Sequence, residues 1–250
     1  MVQLYENERI DEVNDKLRLI QRSTGLAFGT DALLLAGYIE SRGGIGLELG
    51  SGTGIISMLA LTRGKFSRVE ALELQPIYAC LTRRNAELNS LSDVLSVSEC
   101  DVRDFTPRQS YDVVFSNPPY MRAASGRENV STEKNIARHE IAGDITDFVA
   151  CAARSLKFGG AFYAVYRADR LADLITAMRS CRIEPKRLTL VHATAEREPA
   201  MVLIAGRAGG GCGMRVTPPF IIYREDGKTY SADMDYVMEN GSFPEKFKGK

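Results

Sequence analysis

The sequence contains neither a long apolar run nor a paired-cysteine motif. A membrane-spanning helix needs roughly 20 consecutive apolar residues, so no membrane partner is expected. The first residues are polar and lack the apolar core of a signal peptide, which favours a cytoplasmic location. The five cysteines are scattered, odd in number and without any C-x-x-C spacing. The sequence therefore predicts neither a disulfide framework nor a zinc site, and no bound metal is expected.

The chain also lacks an excess of either charge, with 32 basic and 32 acidic residues, and it has only two histidines. A zero net charge argues mildly against a nucleic-acid partner, although a local basic surface can still hold a phosphate backbone. The sequence shows no Ser-His-Asp constellation and no set of metal-ligating residues. Neither a serine nucleophile nor metal-assisted chemistry is therefore expected.

The most informative motif follows an apolar run over 111–116 and reads Asn117-Pro118-Pro119-Tyr120. An amino group on a planar base becomes a nucleophile when its two N–H groups donate to fixed acceptors. The Asn117 side-chain oxygen and the Pro118 carbonyl can be those acceptors, because two successive prolines restrict the backbone. Tyr120 offers a ring on which a base can stack, worth about 1–3 kcal/mol. We predict that Asn117, Pro118 and Tyr120 are catalytic and that Pro119 and Tyr120 contact the substrate; the structural alternative is a Pro-Pro turn with a buried tyrosine.

A glycine-rich loop precedes this motif and reads Glu48-Leu-Gly50-Ser-Gly52-Thr-Gly54. It lies between a short apolar strand and an apolar helix, the first unit of a dinucleotide-type α/β fold. A nicotinamide fingerprint would need Gly or Ala at position 55, which is Ile55, and no Gly-Lys-Ser/Thr phosphate loop is present. The G-x-G-x-G spacing suits S-adenosylmethionine, which carries no phosphate. We predict that the three glycines approach this cofactor closely and that Glu48 faces its cationic amino-acid part.

Further acids follow the next two predicted strands. Glu73 lies 19 residues after Gly54, close to the offset of about 20 residues expected for a ribose-binding acid. Asp101 follows the next apolar run and can accept from the adenine amino group of the cofactor, with Val102 beside it. Open α/β sheets bind ligands at the carboxyl ends of their strands. We therefore predict that Glu73, Asp101, Val102 and Asn117 all contact the cofactor, although each acid taken alone reads as a solvated loop carboxylate.

Together these residues resemble the class I S-adenosylmethionine-dependent methyltransferases. The segments 17–21, 28–36, 137–140 and 218–223 are further similar to bacterial tRNA(Val) (adenine-N6)-methyltransferases, which modify adenine 37 beside the anticodon. The resemblance implies a Rossmann-like α/β fold whose seven-stranded, mostly parallel sheet ends in an antiparallel C-terminal hairpin. It also implies a monomer or homodimer, a tRNA substrate, the cofactor at the glycine loop and the adenine at the Asn-Pro-Pro-Tyr turn.

The stretch 121–140 directly follows the predicted catalytic turn and lacks apolar periodicity. We expect a mobile loop that becomes ordered over a flipped nucleotide. Arg122 and Arg138 are candidate RNA contacts, and His139 lies near the predicted mouth of the site. Because glutamates are interspersed with these basic residues, a solvated mixed surface is the alternative.

The organisation along the chain favours a single methyltransferase domain over 1–250. Its predicted parts are an N-terminal cap and helix (1–44), the core (45–206) and a C-terminal edge extension (207–250). Within the cap, Thr30 is the expected N-cap of a helix that runs to position 41. A later helix from position 144 is expected to end at Gly159-Gly160.

Other functions remain open, because the same turn occurs in enzymes that methylate other planar amino groups. Guanine-N2 methyltransferases of ribosomal RNA are one alternative, and enzymes that methylate a glutamine amide in release factors are another. The glutamine enzymes usually carry an N-terminal helical domain, for which the residues before the glycine loop are expected to be too few. A DNA adenine enzyme would need a target-recognition domain that the sequence does not show. The fourth alternative is a non-catalytic RNA-binding module that retains the fold. The presence of Asn117, Tyr120 and Glu73 disfavours it.

Overall fold

The computed structural model describes residues 3–23, 28–40, 43–119 and 143–249. The helices are α1 (Thr30–Tyr38), α2 (Ile55–Thr62), α3 (Pro76–Leu88), α4 (Ile145–Ser155), α5 (Leu171–Ser180) and α6 (Ala232–Asn240). The strands are β1 (Glu8–Asn14), β2 (Leu17–Arg22), β3 (Gly44–Leu49), β4 (Phe66–Glu73), β5 (Leu95–Glu99), β6 (Tyr111–Ser116), β7 (Leu156–Arg167), β8 (Ile183–His192), β9 (Pro199–Ala208), β10 (Arg215–Val216) and β11 (Phe220–Ile221).

Within the described residues, nine strands form one sheet in the order β10-β8-β9-β7-β6-β3-β4-β5, with β11 also paired to β8. Strand β9 runs antiparallel to β7 and β8, whereas the other pairs are parallel. The seven long strands β3 to β9 are those of the predicted sheet, and the C-terminal segment adds two strands of two residues each at its edge. The predicted fold class, a mostly parallel sheet closed by an antiparallel hairpin, is confirmed.

The strand order reverses between β3 and β6. From β3 the chain moves outward through β4 and β5, and it then returns to the other side of β3 to begin the second half with β6. The crevice for ligands in open α/β sheets lies at such a reversal, outside the carboxyl ends of the strands. The topology therefore brings the glycine loop after β3 next to the turn after β6.

Apolar side chains cover both faces of the sheet. In β6, Phe115 packs into one core cluster with residues of α1, α2 and the C-terminal segment, whereas Val114 packs into the other with residues of α4 and α5. Both side chains are fully buried. Burial on both faces explains why the central parallel strands read as continuous apolar runs in the sequence.

The hairpin of β1 and β2 packs on α3. Ile20 contacts Tyr78 and Leu81 in a small apolar cluster. The Asn85 side chain forms two hydrogen bonds with the backbone of Ile20. Ile20 N donates to Asn85 Oδ1 at 2.7 Å, and Asn85 Nδ2 donates to Ile20 O at 3.1 Å. The hairpin is therefore joined to the helix that follows Glu73.

The start of α1 differs from the prediction. Gly29 is the N-cap, no side chain caps the helix, and Thr30 is the first helical residue, so the predicted Thr30 cap is wrong. Instead, the Asp31 carboxylate accepts from Ala32 N at 2.9 Å in the first turn, where a helix favours negative charge. The helix also ends at Tyr38, three residues earlier than predicted.

The predicted end of the helix before β7 is also wrong. Asp144 caps α4 through a capping box, but the helix ends at Ser155 and both predicted stop glycines lie inside β7. The pairing between β6 and β7 shifts register between Tyr111 and Val113, and Gly159 has a positive φ of 75°. A bulge of this kind favours glycine, so the glycine pair marks an irregular strand and not a helix end.

A buried lysine holds the end of α1. Lys65 is 8% exposed, and its Nζ donates to the carbonyls of Ala36 at 2.6 Å, Gly37 at 3.0 Å and Ile39 at 2.7 Å. Burial lowers the pKa of Lys65 to about 7. The carbonyls at the end of a helix carry partial negative charge and have no partners within the helix. Lys65 therefore fixes α1 against the sheet.

Replacing Lys65 by methionine tests this role. We expect Lys65→Met to lower the free energy of unfolding by about 2 kcal/mol, because buried carbonyls lose their donor. Urea denaturation followed by circular dichroism measures the change. The matched control is Lys228→Met at an exposed position, which should stay within about 0.5 kcal/mol of the wild type. Equal stability of the two variants would contradict the assignment.

Candidate functional site

A cavity of about 860 Å³ opens at the carboxyl edge of the sheet. This volume lies in the range of roughly 300–1,000 Å³ that is typical of small-molecule and cofactor sites. The lining includes the glycine loop after β3, the turn after β6, the start of α1, and residues at the cavity-side ends of β7 and β9. The ends of five strands (β3, β4, β6, β7 and β9) and the first turns of three helices (α1, α2 and α4) thus meet around a single space.

Positive φ angles shape the glycine loop. Gly50, Gly52 and Gly54 have φ values of 73°, 55° and 79°, a region that other residues rarely adopt. A Cβ added at Gly54 would lie 2.6 Å from the Cγ2 of Thr82, and the Thr82 hydroxyl donates to Gly52 O at 2.8 Å. A Cβ at Gly52 would meet nothing within 4 Å. The loop is therefore packed against α3 at Gly54 but leaves room for a ligand at Gly52.

Glu48, the penultimate residue of β3, is a buried carboxyl group with 1% exposure. Its Oε2 accepts from the backbone N of Ser57 at 3.2 Å and from the Ser57 hydroxyl. Its Oε1 and the hydroxyl of Ser51 are buried and have no hydrogen-bond partner among the described residues. Burial raises the pKa of Glu48 to about 8, an effect that the Ser57 bonds oppose and the charge of Glu73 adds to. A buried acceptor of this kind fits a cationic group of a ligand.

Glu73 joins the glycine loop to the start of α3. Its Oε2 accepts from Gly52 N at 2.8 Å, and its Oε1 accepts from Gln75 N at 2.9 Å. The side chain lines the cavity, and burial raises the pKa of its carboxyl group. Each carboxylate oxygen has a second lone pair. Two hydroxyl groups of a ribose can therefore be accepted here while the backbone bonds persist.

Asp101 points its carboxylate at a neighbouring side chain. Arg103 Nη2 pairs with Asp101 Oδ2 at 2.5 Å, and Arg103 Nε donates to Oδ1 at 3.0 Å. These bonds from Arg103 lower the pKa of Asp101. Cys100 and Val102 line the cavity on either side, whereas Asp101 is not part of the lining. The contact of Asp101 with a cofactor adenine therefore stays a prediction, as does that of Val102.

The turn after β6 places Asn117, Pro118 and Pro119 on the cavity lining. Ser116 Oγ donates to Leu49 O at 2.8 Å and ties the end of β6 to the end of β3. Asn117 Nδ2 donates to Asp31 Oδ2 at 2.9 Å. The structure thus brings the predicted acceptor turn and the predicted cofactor loop to one cavity.

Several predicted substrate residues lie outside the described residues. These are Tyr120, Arg122, Arg138 and His139, and the loop predicted over 121–140 lies there as well. Their roles stay predictions.

Several residues that line the cavity were not predicted from the sequence. Asp31 is the clearest, because it was assigned only to the start of a helix although it contacts Asn117. Arg167 and Asp169 also line the cavity, and Arg167 Nε donates to Asp169 Oδ1 at 2.8 Å. Phe28 lines it too. The one available signal was position, since Arg167 ends β7 at the ligand-binding edge of the sheet.

The described residues contain no cluster of three or more side chains suited to a metal ion. No helix among them is long and apolar enough to span a bilayer.

Comparisons with known proteins agree with this geometry. The methyltransferase small domain family matches residues 23–179. A protein of Porphyromonas gingivalis named tRNA1(Val) (adenine(37)-N6)-methyltransferase is 28% identical over 193 residues, covering 73% of this chain and 75% of the relative. A protein of Klebsiella pneumoniae with the same name is 30% identical over 181 residues, covering 71% and 73%.

Solved structures share the fold. A predicted O-methyltransferase from Agrobacterium tumefaciens superposes with a TM-score of 0.70 at 22% identity, covering 86% of this chain and 98% of that one. Geranyl diphosphate C-methyltransferase from Streptomyces coelicolor, solved with S-adenosyl-L-homocysteine, gives a TM-score of 0.53 at 15% identity, covering 72% and 75%. With the family match over more than half of its length, the chain belongs to the methyltransferase small domain family and is an S-adenosylmethionine-dependent methyltransferase of class I fold.

Proposed function

We propose that this enzyme methylates the exocyclic N6 amine of an adenine in tRNA, next to the anticodon of a valine tRNA. The observation that carries the proposal is the place of Asn117 and Pro118 on the wall of the cavity that also holds the glycine loop. The tRNA is supported by the shared name of the relatives at 28% and 30% identity. The guanine base and the glutamine side-chain amide also present a planar amino group. The acceptor turn therefore supports only the reaction type, and the names of the relatives support the substrate.

The cofactor residues fit S-adenosylmethionine. The Oε1 of Glu48 and the hydroxyl of Ser51, which have no hydrogen-bond partner in the described part of the chain, offer buried acceptors for a cationic amino group. Glu73 offers its carboxylate to two ribose hydroxyls, and the open space at Gly52 admits close approach of a ligand. When bound, the cofactor supplies a methyl group activated by a positively charged sulfur.

The chain itself holds and polarises the amine. The lone pair of an exocyclic adenine nitrogen is delocalised into the ring, so the free amine is a poor nucleophile. Two N–H groups donating to the Asn117 side-chain oxygen and the Pro118 carbonyl would draw that lone pair out of conjugation. Both acceptors lie at the end of a buried strand, so they are oriented before the substrate arrives. The surplus proton leaves to water, and no histidine base is needed.

The direct test uses labelled S-adenosylmethionine with total RNA and, in a parallel reaction, with total protein, both from a strain that lacks this gene. We expect label in N6-methyladenosine of the tRNA fraction on nucleoside analysis. Label in N2-methylguanosine would instead assign the enzyme to ribosomal RNA, and label in protein would assign it to glutamine amides. Absence of label in every fraction would contradict the proposed substrate.

Removing the acceptor side chain should abolish turnover without removing the cofactor. We expect Asn117→Ala to lower kcat at least about 100-fold, because one fixed acceptor is lost. Calorimetry should show S-adenosylmethionine binding within about twofold of the wild type. Asn240→Ala, on an exposed helix end, is the matched control and should keep the wild-type rate. Wild-type turnover in Asn117→Ala would show that the acceptor role is wrong.

Removing the proposed ribose acceptor, Glu73, should weaken cofactor binding, in contrast to the removal of Asn117. We expect Glu73→Ala to weaken S-adenosylmethionine binding at least about tenfold, because the hydroxyl partners and the bond to Gly52 are lost together. Equilibrium binding by calorimetry measures this change. Glu87→Ala, at an exposed position on α3, is the control. If both variants bind the cofactor equally well, the ribose assignment is wrong.

Cofactor affinity should depend on pH through Glu48. Its pKa is raised to about 8 in the free protein, so at neutral pH the carboxyl group must lose a proton before it can pair with a cation. We expect the affinity to rise roughly tenfold between about pH 6.5 and about pH 8, with up to one proton released on binding. Calorimetry in buffers of different ionisation enthalpy counts the proton. Glu48→Gln should flatten the profile, and an unchanged profile in that variant would contradict the assignment.

A further inference from the structure

A carboxylate from the first turn of α1 reaches the acceptor turn after β6. Asn117 Nδ2 donates to Asp31 Oδ2 at 2.9 Å across 86 residues of sequence. Both residues line the cavity. An ionised carboxylate can only accept hydrogen bonds, whereas an amide has one donating side and one accepting side. Asp31 therefore dictates that the NH₂ side of Asn117 faces α1 and that its carbonyl oxygen points the other way.

Asp31 is itself held in place by its surroundings. Its Oδ1 accepts from Ala32 N at 2.9 Å, in a helix turn that favours negative charge. A Cβ added at Gly29 would lie 2.7 Å from the same Oδ1. The other end of α1 is fixed by the three bonds from Lys65 to backbone carbonyls. The carboxylate is thus presented by a rigid helix, and the glycine before that helix leaves the space it occupies.

We propose that Asp31 is a positioning residue that sets the orientation of the Asn117 amide and strengthens its carbonyl oxygen as an acceptor. The inference rests on the proposed function, in which that oxygen receives an N–H of the substrate amine. Hydrogen bonds to charged groups are stronger than neutral ones, and donation from the NH₂ side polarises the amide toward its oxygen. Gly29 belongs to the same arrangement, because any side chain there displaces the carboxylate.

The kinetic test compares removal, displacement and exchange of the carboxylate. Asp31→Ala should lower kcat at least about tenfold, with S-adenosylmethionine affinity within about threefold of the wild type. Gly29→Ala should lower kcat in the same direction. Gly211→Ala, where an added Cβ meets nothing within 4 Å, is the matched control and should keep the wild-type kcat. Wild-type kcat in Asp31→Ala would overturn the inference.

Exchanging the amide and the carboxylate between positions 117 and 31 separates a positioning role of Asp31 from a merely structural one. Asn117→Asp alone sets two carboxylates against each other and should be nearly inactive. Adding Asp31→Asn restores a donor opposite an acceptor, so the double variant should exceed Asn117→Asp at least about tenfold in kcat. A purely structural role of Asp31 predicts no such recovery. A double variant no more active than Asn117→Asp alone would count against the proposal.

A measurement without substrate separates this inference from the proposed function. The side-chain amide signal of Asn117 in a ¹H–¹⁵N spectrum is identified by its loss in Asn117→Ala. It should shift in Asp31→Ala and in Gly29→Ala but not in Gly211→Ala, while the core amide signals of all the variants that retain Asn117 show that the fold persists. An unshifted signal in Asp31→Ala overturns the positioning role even if tRNA is methylated. A shifted signal with no RNA methylation by the wild type overturns the proposed function alone.

Discussion

The parallel pairing of β3 with β6 is the constraint on which the site depends. Leu49 lies opposite Ser116 in this register, and the Ser116 hydroxyl donates to the carbonyl of Leu49. The next residues along the two strands are Gly50 and Asn117, so the register alone sets the glycine loop beside the acceptor turn. A shift of one residue would also turn every side chain of β6 to the opposite face. The apolar cores on both faces of the sheet therefore fix the register of β6, and the register decides which residues meet at the strand ends.

The same edge carries acids whose burial opposes folding. Glu48 and Glu73 line the same cavity as the glycine loop, and the pKa of each is raised by burial. Buried carboxyl groups reduce stability unless a partner compensates them. Backbone donors from Gly52 and Gln75 satisfy Glu73, whereas Glu48 retains an oxygen without a partner among the described residues. Perturbed acids in a cleft are typical of functional sites, and a cationic ligand would offset the cost at Glu48.

Most strands and the position of the glycine loop were predicted from the sequence, because both depend on local signals. Apolar runs bounded by glycine, proline and acids predicted the strands β3, β4 and β6, and the run over 111–116 coincides with β6. Local signals failed where a distant strand decides the conformation. Gly159 and Gly160 resemble a helix end, but pairing with β6 draws them into a bulged strand. Thr30 resembles an N-cap, but the chain enters α1 one residue earlier at Gly29.

The sequence by itself determined which chemical groups are present and in what order: a glycine loop, acids after successive strands, and an amide followed by two prolines. Only the tertiary structure decided how those groups pair. It joined Asn117 to Asp31 over 86 residues, turned Asp101 toward Arg103 and added Arg167 to the cavity lining. The physical reason is that the period of apolar residues reports which face of an element is buried. Strand order and helix packing decide which polar side chains at the ends of those elements meet. Both depend on the packing of the whole core.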